Sequence, residues 1–268
     1  MAITPETHQV IDSNKQAVHV DAISENMLLL SWPEKICPSQ HQLIVNYEKI
    51  IRTTLNDAII DLVVSYHTLA VYYDFEQCST EKMIIAIKHA LTSITSDNEI
   101  NIDSNKIEIP VYYGESAGWD LADVASQCQL APKDVIKLHS QQTYRAYALG
   151  FTPGFCYLAS LPSTLHLARK KQPRLKVPAG AVAIAETQTA VYPSPSPGGW
   201  HIIGQTPIAM YQYNAKGLTT AIKVSDEVTF KPISRAEFEA LGGKVVLEFA
   251  TARTTSWPSR GSTWTATW

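Results

Sequence analysis

Only four cysteines occur in 268 residues, and Cys37, Cys78, Cys128 and Cys156 stand far apart with no CxxC pair. That scatter excludes a disulfide framework and a zinc finger, and it fits reduced, structural thiols. A Walker A loop, a GxSxG nucleophile elbow and an HExxH helix are all missing, so any nucleotide must bind in another way. No apolar run approaches the ~20 residues of a membrane-spanning helix. The polar start, MAITPETHQVIDSNKQ, lacks a signal-peptide core, and the chain is expected to stay in the cytoplasm. Positive charge is not in excess either. With 22 Lys and Arg against 25 Asp and Glu, the net charge is −3, which removes the global field that a nucleic-acid binder uses. None of the 8 histidines forms a ligand pair at helical spacing, so no metal site is expected.

What is present is a globular balance, 45% hydrophobic and 18% charged, over a length that suits one large or two ordinary domains. Residues 18–32 read as strand, turn and strand. Ser39 is placed to cap a helix with Leu43, Ile44, Tyr47 and Ile51 on one face. IIDLVVSY and LAVYYD read as two strands around His67, and a helix opened by Ser79 or Thr80 buries Met83, Ile84, Ile87, Leu91 and Ile94. The polar run TSDNEINIDSNK then marks a boundary. IEIPVYY begins the second half as a strand, with helices over Leu121–Cys128 and Pro132–His139 after it. Short β-like pieces separated by Gly and Pro follow, from YRAYALGF to EVTFKPI, and predict a closed or nearly closed barrel or sandwich. RAEFEALGG predicts a helix and KVVLEFA a last strand. The expected division is an N-terminal extension at 1–17, an α+β domain at 18–106, a β-barrel domain at 107–250 and a Trp-rich tail at 251–268.

Three local signals stand out. In VYPSPSPGGWHIIG, prolines fix φ and two glycines open the backbone beside a tryptophan, so an irregular segment is held in one shape. HLARKKQPRLK carries Arg169, Lys170, Lys171, Arg174 and Lys176 with no acid among them. Lys170 and Lys171 read as a solvated basic loop, whereas Arg174 and Lys176 lead into the tight VPAGAV turn and suit a carboxylate or phosphate. GFTPGF follows a strand and can turn backbone N–H groups toward an anion. The segment DLADVASQCQLAPKDVIKLHS has helix–turn–helix spacing but few basic residues for phosphate contacts, which argues for a packed helical pair over DNA binding.

Four motifs then resemble one family: LHS (138–140), GFTPGFCYLASLP (150–162), PRLKVPAGAVAIAETQTAVYP (173–193) and SPGGWHIIGQTP (196–207). They are similar to the 5-oxoprolinase B-subunit family, whose members are also called KipI-like or allophanate hydrolase subunit 1 proteins. The resemblance implies an α+β protein, with a small α/β-plait-like N-terminal domain followed by a cyclophilin-like β-barrel. It also implies a heteromeric complex with two further 5-oxoprolinase components, a carboxyltransferase-like C subunit and an A subunit, which together open 5-oxo-L-proline to L-glutamate. ATP, with Mg, is the implied cosubstrate, and no bound organic cofactor is expected. A KipI-like inhibitor of a sensor histidine kinase and an allophanate or urea-amidolyase component are the alternatives.

On the matching positions, His139, Arg174 and Gln188 are the expected catalytic residues. Gly150, Phe151, Gly154, Tyr157, Lys176, Pro178, Gly180, Tyr192, Pro197, Gly198, Gly199 and Trp200 are expected to bind substrate or nucleotide. Alanine at Arg174 or His139 is expected to abolish turnover and leave folding intact. The chain departs from the family pattern at Cys156, Ala159 and Ser160, where Pro, Gly and Gly are usual. Glu186 and Ala190 stand where glycines are common, and Glu186 is expected to repel an anionic substrate.

Overall fold

A computed structural model describes residues 7–92, 104–215, 217–246 and 248. The first lobe is an antiparallel sheet with two helices sharing its core. Strands β1 (Thr7–Ile11), β2 (Ala17–Ser24) and β3 (Met27–Ser31) precede helix α1 (Pro38–Thr54). Strands β4 (Ile59–Val64) and β5 (Thr68–Tyr73) lead to helix α2 (Thr80–Thr92). The order across the sheet is β1-β2-β3-β5-β4. Alternation decides which face is inside: Val18 and Val20 on β2, and Leu28 and Leu30 on β3, are buried. Leu43, Ile44, Tyr47 and Ile51 of α1 meet Met83, Ile84, Ile87 and Leu91 of α2 in the same cluster, as the helical spacing predicts. Ile94 lies outside the described residues.

Two local expectations change. Pro38 opens α1, with Cys37 at its N-cap and no side-chain cap, because a proline in the first turn sacrifices no hydrogen bond. Ser39 therefore sits inside the helix. Residues 7–11, expected within an extension, form β1 and pair with β2 from Thr7↔Asp21 to Ile11↔Ala17.

The second lobe begins with β6 (Lys106–Val111), then α3 (Leu121–Gln127) and α4 (Pro132–Ser140). Its strands continue as β7 (Tyr144–Leu149), β8 (Cys156–Ala159), β9 (Arg174–Val177), β10 (Ala181–Ala185) and β11 (Gln188–Val191). They end with β12 (Ser196–Gly198), β13 (His201–Gln205), β14 (Tyr211–Asn214), β15 (Gly217–Thr220) and β16 (Glu227–Pro232), before helix α5 (Arg235–Ala240). Seven of these strands form one curled sheet in the order β13-β10-β11-β8-β7-β16-β6. Its two edges meet where Tyr112 and Gln205 exchange backbone hydrogen bonds of 2.8 and 2.9 Å. The expected barrel is thus present and nearly closed. Two pairs, β9 with β12 and β14 with β15, stand outside it. The described residues of KVVLEFA form no strand.

The lobes are joined through polar groups with fixed roles. His41 Nε2 lies 2.8 Å from the Tyr147 carbonyl oxygen, and Arg145 Nε donates to His41 Nδ1 at 3.0 Å. The ring is therefore the neutral Nε2–H tautomer. Arg145 also donates to Gln42 and Ser225, and Tyr66 stacks on Tyr147 at 5.1 Å. No helix among the described residues is long and apolar enough to cross a membrane.

Candidate functional site

The basic run folds over the start of α3. Lys170 N–H donates to the Gly199 carbonyl, and Arg174 on β9 pairs with Gly198 on β12. This lays the run beside Asp120, the residue that precedes α3 and is only 3% exposed. One oxygen of Asp120 accepts from Lys170 Nζ at 2.6 Å and Arg174 Nη2 at 2.8 Å. The other accepts from Arg174 Nη1 at 2.8 Å and from the Ile202 N–H at 2.7 Å. Burial works against the carboxylate, but Arg174, Lys170 and the Ile202 amide outweigh it and hold the Asp120 pKa below its ordinary value. Arg174 is completed by Nε donation to Glu248 at 2.6 Å and by a position 5.4 Å from the Trp119 ring centre.

A cavity of about 800 Å³ opens next to this knot, and its wall includes Trp119, Asp123, Lys171, Arg174, Lys176 and His201. Lys171 and Lys176 are exposed and form no ion pair among the described residues. They are the cations left available to an anion. The Arg174 fork is already filled, so it anchors β9 instead of offering a free bidentate contact.

The ligand-bearing groups beside this cavity do not suit a divalent cation. Asp120, Asp123 and His201 bring potential ligand atoms within 4.8 Å of one another. Yet both Asp120 oxygens are taken by a guanidinium, an ammonium and an amide. A metal would have to displace these and sit among positive charges.

The proline–glycine segment builds a second, mostly buried cluster. Phe155 lies at its centre, with ring centroids 4.9 Å from Tyr157, 5.5 Å from Tyr192 and 5.8 Å from Trp200. Gly198 is required here because a Cβ would strike the Tyr192 hydroxyl. Trp200 is 5% exposed and so is a core residue more than an open wall. Arg169 covers its ring at 5.9 Å and pairs with Glu186 at 3.4 Å. Glu186 therefore faces a cation. Phe151, at φ 69°, leans its ring on Phe155 from the exposed side.

The expected residues thus separate. Arg174 and Lys176 line the cavity. Phe151, Tyr157, Tyr192 and Trp200 join the aromatic cluster, while Gly150 and Gly154 shape the loop beneath it. Pro178 is buried before the Gly180 turn, Pro197 is exposed on β12, and Gly199 holds Lys170. Gln188 begins β11, half-buried opposite Ala159 and Ala185. Arg169 lines the cavity and covers Trp200, so the cavity wall and the aromatic cluster adjoin there.

His139 is not among the residues lining the cavity. It has no exposed surface, packs on Phe230 at 4.5 Å, and is bonded to Tyr113 at 2.8 Å through Nδ1 and to Thr189 at 2.9 Å through Nε2. Burial pushes its pKa down to about 3. A sealed, neutral histidine with both nitrogens engaged holds the core. Lys170, read from the sequence as part of a solvated loop, instead pairs with Asp120, and Asp120 itself had no prominence in the sequence. Asp120 precedes Arg174 by 54 residues, and only the fold shows the opposite charge across from the basic run.

Comparison with known proteins places this geometry in context. The family model described as carboxyltransferase domain, subdomain C and D, matches residues 18–220. A protein of Bacillus subtilis (strain 168) that is named as the B subunit of 5-oxoprolinase is 31% identical over 231 residues, covering 82% of this chain and 95% of that protein. One of the same name from Escherichia coli O157:H7 is 48% identical over 130 residues, 48% of this chain and 59% of its own. The crystal structure of TTHA0988 superposes with a TM-score of 0.67 at 32% identity, over 79% of this chain. This chain spans only 40% of that longer one.

Proposed function

The chain belongs to the 5-oxoprolinase B-subunit family, and from that premise we propose that it is the B component of an ATP-dependent complex that opens 5-oxo-L-proline to L-glutamate. The observation that carries the reading is the cavity of about 800 Å³ beside β9, with Lys171 and Lys176 on its wall. A carboxyltransferase-like C subunit and an A subunit complete the assembly, since this sequence has no complete nucleotide motif of its own.

The chemistry explains why cations are needed. A lactam carbonyl is a weak electrophile. Transfer of the γ-phosphoryl group from ATP, which arrives with its Mg, forms a bond to the lactam oxygen and releases ADP. Water then adds to the activated carbon, the ring nitrogen leaves as the amine, and a second water releases phosphate from the acyl phosphate. Negative charge peaks on the transferring group, and positioned cations lower that barrier. Lys171 and Lys176 meet this charge or the substrate carboxylate, while Arg174, held by Asp120, fixes β9 under them. The Gly150–Phe155 loop and Gln188 serve substrate binding from the barrel side.

The test is reconstitution. The chain is mixed with the C and A components, ATP and 5-oxoproline, and glutamate is measured. Glutamate that appears only with all components supports the reading. Its absence in a stably assembled mixture overturns it.

A further inference from the structure

Strand β9 stands apart from the barrel, paired on one side with β12, and among the described residues no strand pairs with its other side. An unpaired edge presents a row of backbone donors and acceptors to any extended chain that fits. At its middle is Leu175, which is 91% exposed, the most exposed of the large hydrophobic residues described. Lys176 follows it directly and Lys171 precedes the strand, and both are exposed. We propose that this outer edge of β9 docks an acidic, extended segment of a partner protein by strand addition, with an apolar side chain over Leu175.

Charge selects that occupant. The run from Arg169 to Lys176 contains five cations and no acid. Asp120 absorbs Lys170 and most of Arg174, so the charge facing outward is that of Lys171 and Lys176. A second copy of the same edge would bring lysine against lysine, which native proteins use to prevent self-pairing. An acidic strand meets the same lysines favourably, and backbone pairing supplies affinity while alternate side chains supply specificity. The edge is also fixed before binding. The Arg174–Asp120 fork and the Lys170–Gly199 hydrogen bond hold it from beneath, so little ordering remains to oppose association. In TTHA0988 the matched part is 40% of the chain, so in that relative this fold sits within a longer polypeptide.

The identity of the partner rests on the reading above, in which it is the carboxyltransferase-like component. The experiment uses the full chain with that purified component and follows three readouts: complex affinity at several salt concentrations, hydrogen exchange of the β9 amides, and glutamate formation. We expect the β9 amides to slow on binding and affinity to weaken with salt. Leu175→Asp should weaken binding by about tenfold or more, and Leu241→Asp, a change at another exposed leucine, should leave it unaltered. Circular dichroism confirms that both variants are folded. Binding without β9 protection, or equal binding by Leu175→Asp, overturns the inference; if glutamate still forms, the functional reading survives. Protection of β9 in the isolated chain, through pairing with a second copy, also overturns it. Failure to form either a complex or glutamate sinks both.

Discussion

Asp120 accepts hydrogen bonds from Lys170, from both terminal nitrogens of Arg174 and from the Ile202 amide while remaining almost wholly buried. Removing that charge takes the main counter-ion from the part-buried Lys170 and Arg174, the latter keeping Glu248, at a cost of about 1–3 kcal/mol. Asp120→Asn should therefore lower the urea midpoint strongly. It should also flatten the acid limb of stability. The folded-state pKa of Asp120 is depressed, so its contribution is present above the ordinary carboxylate pKa of ~3.9 and is lost as pH falls through the lower folded value. Arg174→Ala should likewise cost stability along with turnover, contrary to the expectation from sequence. Lys176→Ala should reduce turnover with stability changed by less than about 0.5 kcal/mol, as measured by denaturant unfolding beside the glutamate assay. The cations were legible in the sequence because they are contiguous. Their common acid was not, because burial is a property of the folded neighbourhood.

Turns show the same division at the scale of elements. Gly180 joins β9 to β10 at φ +80°, its N–H donates to the Tyr192 carbonyl at 2.8 Å, and a Cβ would collide with the Thr206 carbonyl oxygen. Gly180→Ala should cost roughly 1–3 kcal/mol. Gly150→Ala, with nothing within 4 Å of the added carbon, should shift thermal unfolding little. Both glycines belong to motifs that look equally strict in one dimension, and only the packing separates them. Periodicity was a better guide for α1 and α2, whose buried faces follow from spacing alone. It could not show that β9 would leave the barrel to pair with β12. Both strands are short, and the pairing depends on a bulge between Ser196 and Gly198.

Across the whole molecule, His41 ties the first lobe to the second as a neutral imidazole between Arg145 and the Tyr147 carbonyl. Burial, together with the Arg145 charge, pushes its pKa down to about 4 against a hydrogen bond that raises it. The unfolded chain binds a proton near pH ~6.5 and the folded chain only near 4. Stability should therefore fall as pH drops from ~6.5 toward 4, and thermal unfolding should show a smaller drop in His41→Gln. His139, depressed to about 3, acts in the same direction. This joint could not be read from sequence, since His41 and Tyr147 are 106 positions apart. The barrel's own closure carries a different consequence. Among the described residues, the sheet's two edge strands, β6 and β13, are joined by one reciprocal backbone link, Tyr112 with Gln205. A ring fastened at a single clasp parts there before it tears elsewhere, so those two amides should lead the barrel in native-state hydrogen exchange.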